Sequence, residues 1–317
     1  MRINIAYSCN DSYIPQTGIS MISLFENNKN IEKIHVYFIE KDVAQESITK
    51  LKKIALSYER NFSTIHFSDL CRKLKVSFTG RHIETIYSKL FFSGIDDDID
   101  LILYIDSDTI ITGSLEELFE LNIEDYLLGE VQTFSASSRI ALGMLKDDLF
   151  FNDGVALLNL KKMRELNIED KFISFIQAHN GNPPVLSEGT INAVCKNQIY
   201  SLHPKYNLMS GLLFFSQKTM DKIYGRPYYS QPIISEAIKN PVIIHYLSAF
   251  YNRPWCKKCT HPYKDKYLFY SSISPWNNMP LSNKDLTIKL KLIKFIYTYF
   301  PSTWANLLRD IKKRITK

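Results

Sequence analysis

The 317-residue chain has no run of about 18 consecutive apolar residues, so a hydrophobic spanning helix is not expected. Its first residues, Met1-Arg2-Ile3-Asn4-Ile5, turn polar too soon for a secretion signal, which argues against export. Cysteine is sparse: Cys9, Cys71, Cys195, Cys256 and Cys259 are odd in number and scattered. That pattern does not suit a disulfide framework and fits a reducing, cytoplasmic compartment. Glycine-rich signatures are missing as well. No G-x-x-x-x-G-K-S/T loop occurs, and Gly113, Gly129, Gly143 and Gly154 form no dinucleotide fingerprint, which disfavours P-loop and nicotinamide chemistry.

What is present is a globular composition, with 45% hydrophobic, 23% charged and 13% aromatic residues. The length allows one large domain or two modest ones, with enough chain for a sizeable core. Charge is unevenly spread. Nine Lys/Arg against two Asp between Ser282 and Lys317 give that tail +7, while the whole chain carries +6, so the other 281 residues sum to about −1.

Along the first part, strands alternate with helical periodicity. Ile3–Tyr7, Ile34–Ile39 and Phe62–Phe67 read as strands, and Gly18–Phe25 and Val43–Leu56 as helices, a βα alternation that implies a parallel sheet. Ile83–Phe92 reads as helical. The acidic stretch Asp96, Asp97, Asp98 and Asp100 reads as a solvated loop before the most apolar strand, Leu101–Ile105. Beyond it come a short helix (Ser114–Phe119), strands near Leu127–Val131 and Val155–Leu160, and helices at about Glu169–His179 and Glu188–Cys195. Two further strands follow, Ile199–Leu202 and Val242–His245.

The sharpest local signal is Asp106-Ser107-Asp108 at the carboxyl end of Leu101–Ile105. Ligands of open α/β sheets bind at that edge, and residues i and i+2 of an extended chain lie about 6.6 Å apart on one side, within reach of one divalent cation. Read from the tripeptide alone, a loop whose Asp and Ser side chains satisfy backbone amides accounts for it equally well. His245 ends another short apolar strand and would bring an imidazole to the same edge. Two carboxylates and one imidazole with diphosphate oxygens make a site for Mn²⁺ or Mg²⁺ rather than structural zinc. Cys256-Lys257-Lys258-Cys259 with His261 is half of a zinc pattern that no second Cys/His pair completes.

In order, the chain carries Asn10-Asp11-Ser12-Tyr13, Tyr87-Ser88-Lys89-Leu90, Leu103-Tyr104-Ile105-Asp106-Ser107-Asp108, Phe151-Asn152-Asp153-Gly154-Val155, Ser187-Glu188-Gly189-Thr190-Ile191-Asn192, and His245 with Arg253-Pro254-Trp255. Together these motifs resemble glycosyltransferase family 8, the retaining nucleotide-sugar transferases. The resemblance covers roughly residues 1 to 280. It implies an α/β, Rossmann-like nucleotide-diphospho-sugar transferase (GT-A) fold in residues 1–256, followed by a basic, amphipathic helical extension in 257–317.

The resemblance also assigns roles. Ser8 and Asn10, Asp11, Ser12 and Tyr13 would hold uracil and ribose. Lys89 would reach the donor sugar or its diphosphate, and Asp106, Asp108 and His245 would bind Mn²⁺ (or Mg²⁺) with the diphosphate. Ser107, Asn152, Gly154, Ser187 and Glu188 would join the nucleotide-sugar contacts, and Arg253 stands where relatives usually carry Lys. Lys89, Asn152 and Glu188 are the expected catalytic group. Ser187-Glu188-Gly189 departs from the usual Asp-Gln-Asp or Asp-Gln-Gly, which removes an acid expected at the sugar hydroxyls. It also puts a carboxylate, Glu188, where an amide is usual, so that Glu188 either stabilises an oxocarbenium ion or attacks it, or else simply favours the helix dipole.

The expected activity is transfer of glucose or galactose from a UDP-sugar to a lipopolysaccharide, O-antigen or capsular glycan. A non-catalytic sugar-nucleotide or glycan-binding protein of the same fold is the alternative, and a metal-dependent nucleotidyltransferase a third reading.

In the tail, Ile288, Leu292, Phe295, Ile296, Tyr299 and Phe300 fall at helical spacing. Trp304, Leu307, Leu308, Ile311 and Ile315 continue beyond Pro301 among Arg309, Lys312, Lys313 and Arg314. An apolar face beside cations suits an anionic bilayer surface, so the expectation is peripheral attachment at the cytoplasmic face, with a lipid-linked acceptor and no nucleic acid. The competing reading is that these faces pack on the domain.

Overall fold

Among the described residues there are ten strands: β1 (Arg2–Cys9), β2 (Lys33–Glu40), β3 (Asn61–His66), β4 (Leu101–Ile105), β5 (Thr109–Ile111), β6 (Leu128–Gln132), β7 (Phe151–Asn159), β8 (Ile199–Ser201), β9 (Leu208–Met209) and β10 (Ile243–His245). They are seen in a computed structural model that describes residues 1–74, 84–133, 136–145, 147–248 and 250–299. Seven strands form one sheet in the order β3-β2-β1-β4-β7-β6-β8, and three form a second in the order β5-β10-β9.

The parallel half follows from the sequence. β1 pairs parallel with β2 and β4, and β2 with β3, while the helices Ile14–Asn27 and Gln45–Ser57 make the crossovers. Alternation in β1 and β4 then loads both faces. Ile3, Ile5, Leu103 and Ile105 join one buried cluster, and Ala6, Ile102 and Tyr104 another, which is why β4 reads as a continuous apolar run.

Strand β7 breaks the parallel expectation. It begins at Phe151 and runs antiparallel to both β4 and β6. The connection leaves β6 and re-enters β7 at the same edge, where the Thr133 amide bonds the Phe150 carbonyl at 2.8 Å, so among the described residues no helix crosses the sheet between them. The reversal has a functional result. The start of β7, with Asn152, Asp153 and Gly154, lies beside the carboxyl end of β4, where the Asp106 amide donates to the Gly154 carbonyl at 2.7 Å.

Helix Ile14–Asn27 starts earlier than its apolar spacing indicates, because Pro15 is tolerated in a first turn. Its buried polar residues fasten the segment leaving β4. Thr17 bonds Ser107 at 2.8 Å, Ser20 bonds Thr109 at 3.1 Å, and Ser23 accepts from the Ile111 amide at 2.9 Å. The segment expected to be helical from Ile83 consists of 3-10 turns over Glu84–Gly94, and Ile83 itself lies outside the described residues. In the second sheet only β10 was expected, as Val242–His245; β5, β9 and the helices Gln217–Tyr224 and Gln231–Lys239 were not assigned from the sequence.

Beyond residue 257, helix Lys264–Ser272 lies against Ile14–Asn27. Asn27 Nδ2 donates to the Tyr270 hydroxyl at 2.6 Å, and a Cβ on Gly18 would meet the Trp276 ring at 2.2 Å. Helix Ile288–Tyr299 differs from the single apolar face expected. Ile293 and Tyr297 turn inward, the Tyr297 ring 5.0 Å from that of Phe215, while Ile288, Leu292, Phe295 and Tyr299 face solvent and Ile296 is half-buried. The expected continuation from Phe300 past Pro301 lies outside the described residues.

Candidate active site

Chain geometry converges on the carboxyl edge of β4. Asp106 is its first residue beyond the strand, and Tyr104, two positions earlier on the same side, donates its hydroxyl to Asp106 Oδ1 at 2.6 Å. Asp108 follows at i+2, with its carbonyl accepting from the Tyr246 amide at 2.9 Å. Pairing of His245 with Thr109 between β10 and β5 delivers the imidazole to the same place. One ligand atom from each of Asp106, Asp108 and His245 lies within 4.8 Å of the others. A Cβ on Gly154 would sit 2.4 Å from His245 Cε1 and 2.7 Å from Asp106 Oδ2. Glycine is required there by this close approach, not by its backbone angles.

Cations surround the triad. Arg253 places Nη2 2.8 Å from Asp108 Oδ2 and Nη1 2.5 Å from the Tyr13 hydroxyl. Lys89 is 2% exposed; its Nζ donates to the Asp153 carbonyl at 2.8 Å, pairs with Asp153 Oδ2 at 3.0 Å, and lies 3.8 Å from Asp106 Oδ1 over the Tyr104 ring. Its partners set the protonation of each group. Burial works against the Lys89 charge, but Asp153 and Asp106 outweigh it and raise the pKa above the usual lysine value. Burial likewise opposes a charged His245, and the nearby Asp108 reverses the outcome, so the imidazole is held protonated above its ordinary range. Burial pushes Asp106 up; it also acts on Asp108, where His245 and Arg253 prevail and hold the carboxyl below the usual range.

Helix Leu186–Val194 supplies the other wall. Ser187 donates to Asp153 Oδ2 at 2.6 Å, and Glu188 Oε2 accepts from Asn152 Nδ2 at 2.7 Å. Burial first, and then Asp153, push the Glu188 carboxyl up to about 8. Gly189 lets this helix pass the Pro184 carbonyl, which a Cβ would meet at 1.8 Å.

The structure therefore gathers Lys89, Asp106, Ser107, Asp108, Asn152, Gly154, Ser187, Glu188, His245, Arg253 and Tyr13 around one edge. At the end of β1 the Ser8 hydroxyl donates to the Thr85 carbonyl at 3.1 Å, and just past it Ser12 bonds Asn10 Oδ1 at 2.7 Å and Asp11 accepts from the Ala44 amide at 3.1 Å. Three residues were missed as site members. Asp153 was quoted within its motif and given no role. Asn207, fully buried, bonds both Asn152 and His245 and carries no local pattern. Glu130 was legible as the one charge in the apolar run Leu127–Val131. It is fully buried with neither oxygen hydrogen-bonded, and burial, then Asp153, raise its carboxyl well above the usual range. Cys256, Cys259 and His261 are buried elsewhere, with Cys259 donating to the Asn252 carbonyl at 2.9 Å.

The donor set suits a hard divalent cation: two carboxylates and one imidazole converge, and a glycine leaves open the space that a Cβ would fill. A mostly parallel sheet with this edge, an antiparallel β7 and flanking cations is the layout of a GT-A glycosyltransferase. The galactosyltransferase LgtC, solved in complex with donor and acceptor sugar analogs, shares the fold with a TM-score of 0.69 and 18% identity, over 86% of this chain and 96% of that one. An active-site glutamine-to-glutamate mutant of LgtC gives a TM-score of 0.70 at 18% identity, over 86% of this chain and 96% of that one. The chain belongs to glycosyl transferase family 8, whose model matches residues 4–259. Among its relatives, general stress protein A of Bacillus subtilis (strain 168) is 24% identical over 284 residues, covering 87% of this chain and 96% of that protein. The lipopolysaccharide 1,2-glucosyltransferase of Escherichia coli (strain K12) is 24% identical over 283 residues, covering 87% and 79%.

Proposed function

We propose that this glycosyltransferase moves glucose or galactose, with retention, from a UDP-sugar to a bacterial surface glycan such as lipopolysaccharide, using a divalent cation, Mn²⁺ or Mg²⁺. The observation that carries the reading is the convergence of Asp106, Asp108 and His245 beneath Gly154 with Lys89 and Arg253 alongside. Relatives named for lipopolysaccharide 1,2-glucosyl and 1,3-galactosyl transfer support the acceptor class.

Breaking the anomeric C–O bond leaves negative charge on the departing diphosphate. A cation held by Asp106, Asp108 and His245 would supply Lewis-acid stabilisation of that charge. Lys89 and Arg253 add fixed positive charge in a site partly shielded from water, where it acts more strongly than in solution. Ser8, Asn10, Asp11, Ser12 and Tyr13 hold the base and ribose, with the Tyr13 ring facing the Arg253 guanidinium and edge-on to Trp255. Glu188, oriented by Asn152, faces the anomeric carbon as it becomes oxocarbenium-like and, in its ionised form, stabilises or traps it. The LgtC mutant with glutamate in place of an active-site glutamine has the same kind of side chain that Glu188 brings here.

Residues 1–256 are the catalytic unit, a division supported by the family match ending at 259, and 257–317 the extension. No helix among the described residues is long and apolar enough to cross a membrane. The solvent-facing Ile288, Leu292, Phe295 and Tyr299 lie among Lys284, Lys289, Lys291 and Lys294, which supports attachment to an anionic bilayer at the cytoplasmic face.

The test is UDP release from a panel of UDP-sugars with water as acceptor. Slow release from one hexose donor is expected and names the sugar. UDP binding without cleavage of any donor, even with acceptor glycans supplied, would favour the non-catalytic alternative, and pyrophosphate release would favour a nucleotidyltransferase.

A further inference from the structure

A backbone amide sets the direction of a hydrogen-bonded chain through the cleft. The Gly154 N–H lies 3.3 Å from Asn152 Oδ1, and an N–H only donates, so that atom is the carbonyl oxygen and Asn152 Nδ2 is left to donate to Glu188. Asn152 Oδ1 also lies 2.9 Å from the side-chain amide of Asn207. Facing an acceptor, Asn207 must present Nδ2, which turns its Oδ1 toward His245 Nδ1 at 3.0 Å. An amide oxygen only accepts, so His245 Nδ1 carries the hydrogen. Nε2 is then the atom that faces Asp108 Oδ1 at 3.1 Å and Asp106 Oδ2 at 3.8 Å.

The fold makes this junction rigid. Asn207 sits between the turn Pro204–Tyr206 and β9, and β9 pairs with β10 in the register Leu208 with Ile244 and Met209 with His245. Its side chain is completely buried, so water does not compete for either arm. Asparagine alone meets the demand: aspartate keeps the acceptor for His245 and loses the donor for Asn152, leucine loses both, and glutamine adds a methylene in a closed space.

We infer that Asn207 is a positioning residue for the transfer reaction. One amide holds His245 in the tautomer whose Nε2 can take a cation, and the same amide aims Asn152 at Glu188, so the cation side and the sugar side of the cleft share one anchor. The inference rests on the reading of Asp106, Asp108 and His245 as a cation site.

The experiment uses the full chain and measures Mn²⁺ affinity without nucleotide, from the electron paramagnetic resonance signal of free Mn²⁺, for wild type, Asn207→Leu, Asn207→Asp and Asp108→Asn. UDP release is followed in parallel. Partners of metal-bound histidines typically contribute 10–100-fold to affinity, so Asn207→Leu is expected to weaken Mn²⁺ binding by about that factor. Asn207→Asp is expected to bind Mn²⁺ within about threefold of wild type, because His245 keeps its acceptor, while its kcat for UDP release falls about tenfold or more. This split between affinity and turnover separates positioning from mere packing. Wild-type Mn²⁺ affinity in Asn207→Leu, beside lost affinity in Asp108→Asn, overturns the inference. So does an Asn207→Asp protein that loses Mn²⁺ tenfold, a criterion that holds even if the leucine variant does not fold. Undiminished affinity in Asp108→Asn is a different failure, since it removes the cation-site reading and the inference with it.

Discussion

The cleft edge and helix Ile288–Tyr299 both concentrate charged side chains, and they use them in opposite ways. In the cleft, Lys89 pairs with Asp153 out of bulk water and lies 3.8 Å from the part-exposed Asp106, and His245 bridges Asp106 and Asp108. On the helix, the Lys291 pair with Asp285 is half-exposed, and lysines alternate with apolar side chains that face solvent. Removing one member of a buried pair typically costs about 3–5 kcal/mol, whereas an exposed pair contributes about 0–1 kcal/mol. Charge in the first region is pre-organised for a ligand; in the second it is a surface property.

The largest effect should come from adding one methyl group to the cleft. Gly154→Ala forces a Cβ to 2.4 Å from His245 and 2.7 Å from Asp106, so cation affinity measured by titration calorimetry is expected to fall about a hundredfold. Unchanged affinity would show that the close approach of Gly154 does not matter to the triad.

Glu188→Gln should act next, through pH. In the cation-free protein the Glu188 carboxyl titrates at about 8, above its ordinary value of 4.5, so between those values the folded state binds more protons than the unfolded one. The stability this group contributes is therefore full below about 4.5 and is lost as pH rises through about 8. Urea unfolding of wild type should show that decline and the glutamine variant should show less of it. Turnover should fall by about a hundredfold if Glu188 stabilises the reacting carbon. Equal pH slopes in the two proteins would contradict the burial of this carboxyl.

The smallest effect on stability belongs to the helix. Leu292→Ser with Phe295→Ser should change unfolding free energy by no more than about 0.5 kcal/mol per site, yet reduce co-sedimentation with anionic vesicles. Unchanged co-sedimentation would leave these side chains without a role at a bilayer.

Much of the cleft could be read from residues in order. Strand β4 and Asp106-Ser107-Asp108 were legible because an apolar run ending in carboxylates is a local pattern, and His245 because it too ends such a run. The reversal of β7 was not. Strand direction depends on where the chain re-enters the sheet, which the spacing of Val155–Leu160 does not encode. Asn207 was hidden for a similar reason, since its partners lie 55 and 38 residues away along the chain. For the tail, periodicity found a helix, but Ile293 and Tyr297, which pack against the buried cluster that includes Phe215 and Phe250, fell outside the face that the spacing selected.

The central claim is that the edge of β4 is a cation-dependent donor site. It is tested most directly by comparing UDP release, with and without Mn²⁺, between wild type and the double variant Asp106→Asn/Asp108→Asn. The account predicts release by wild type only when Mn²⁺ is present, and none by the variant although it folds. Release that ignores the cation, or that survives in the variant, would contradict it.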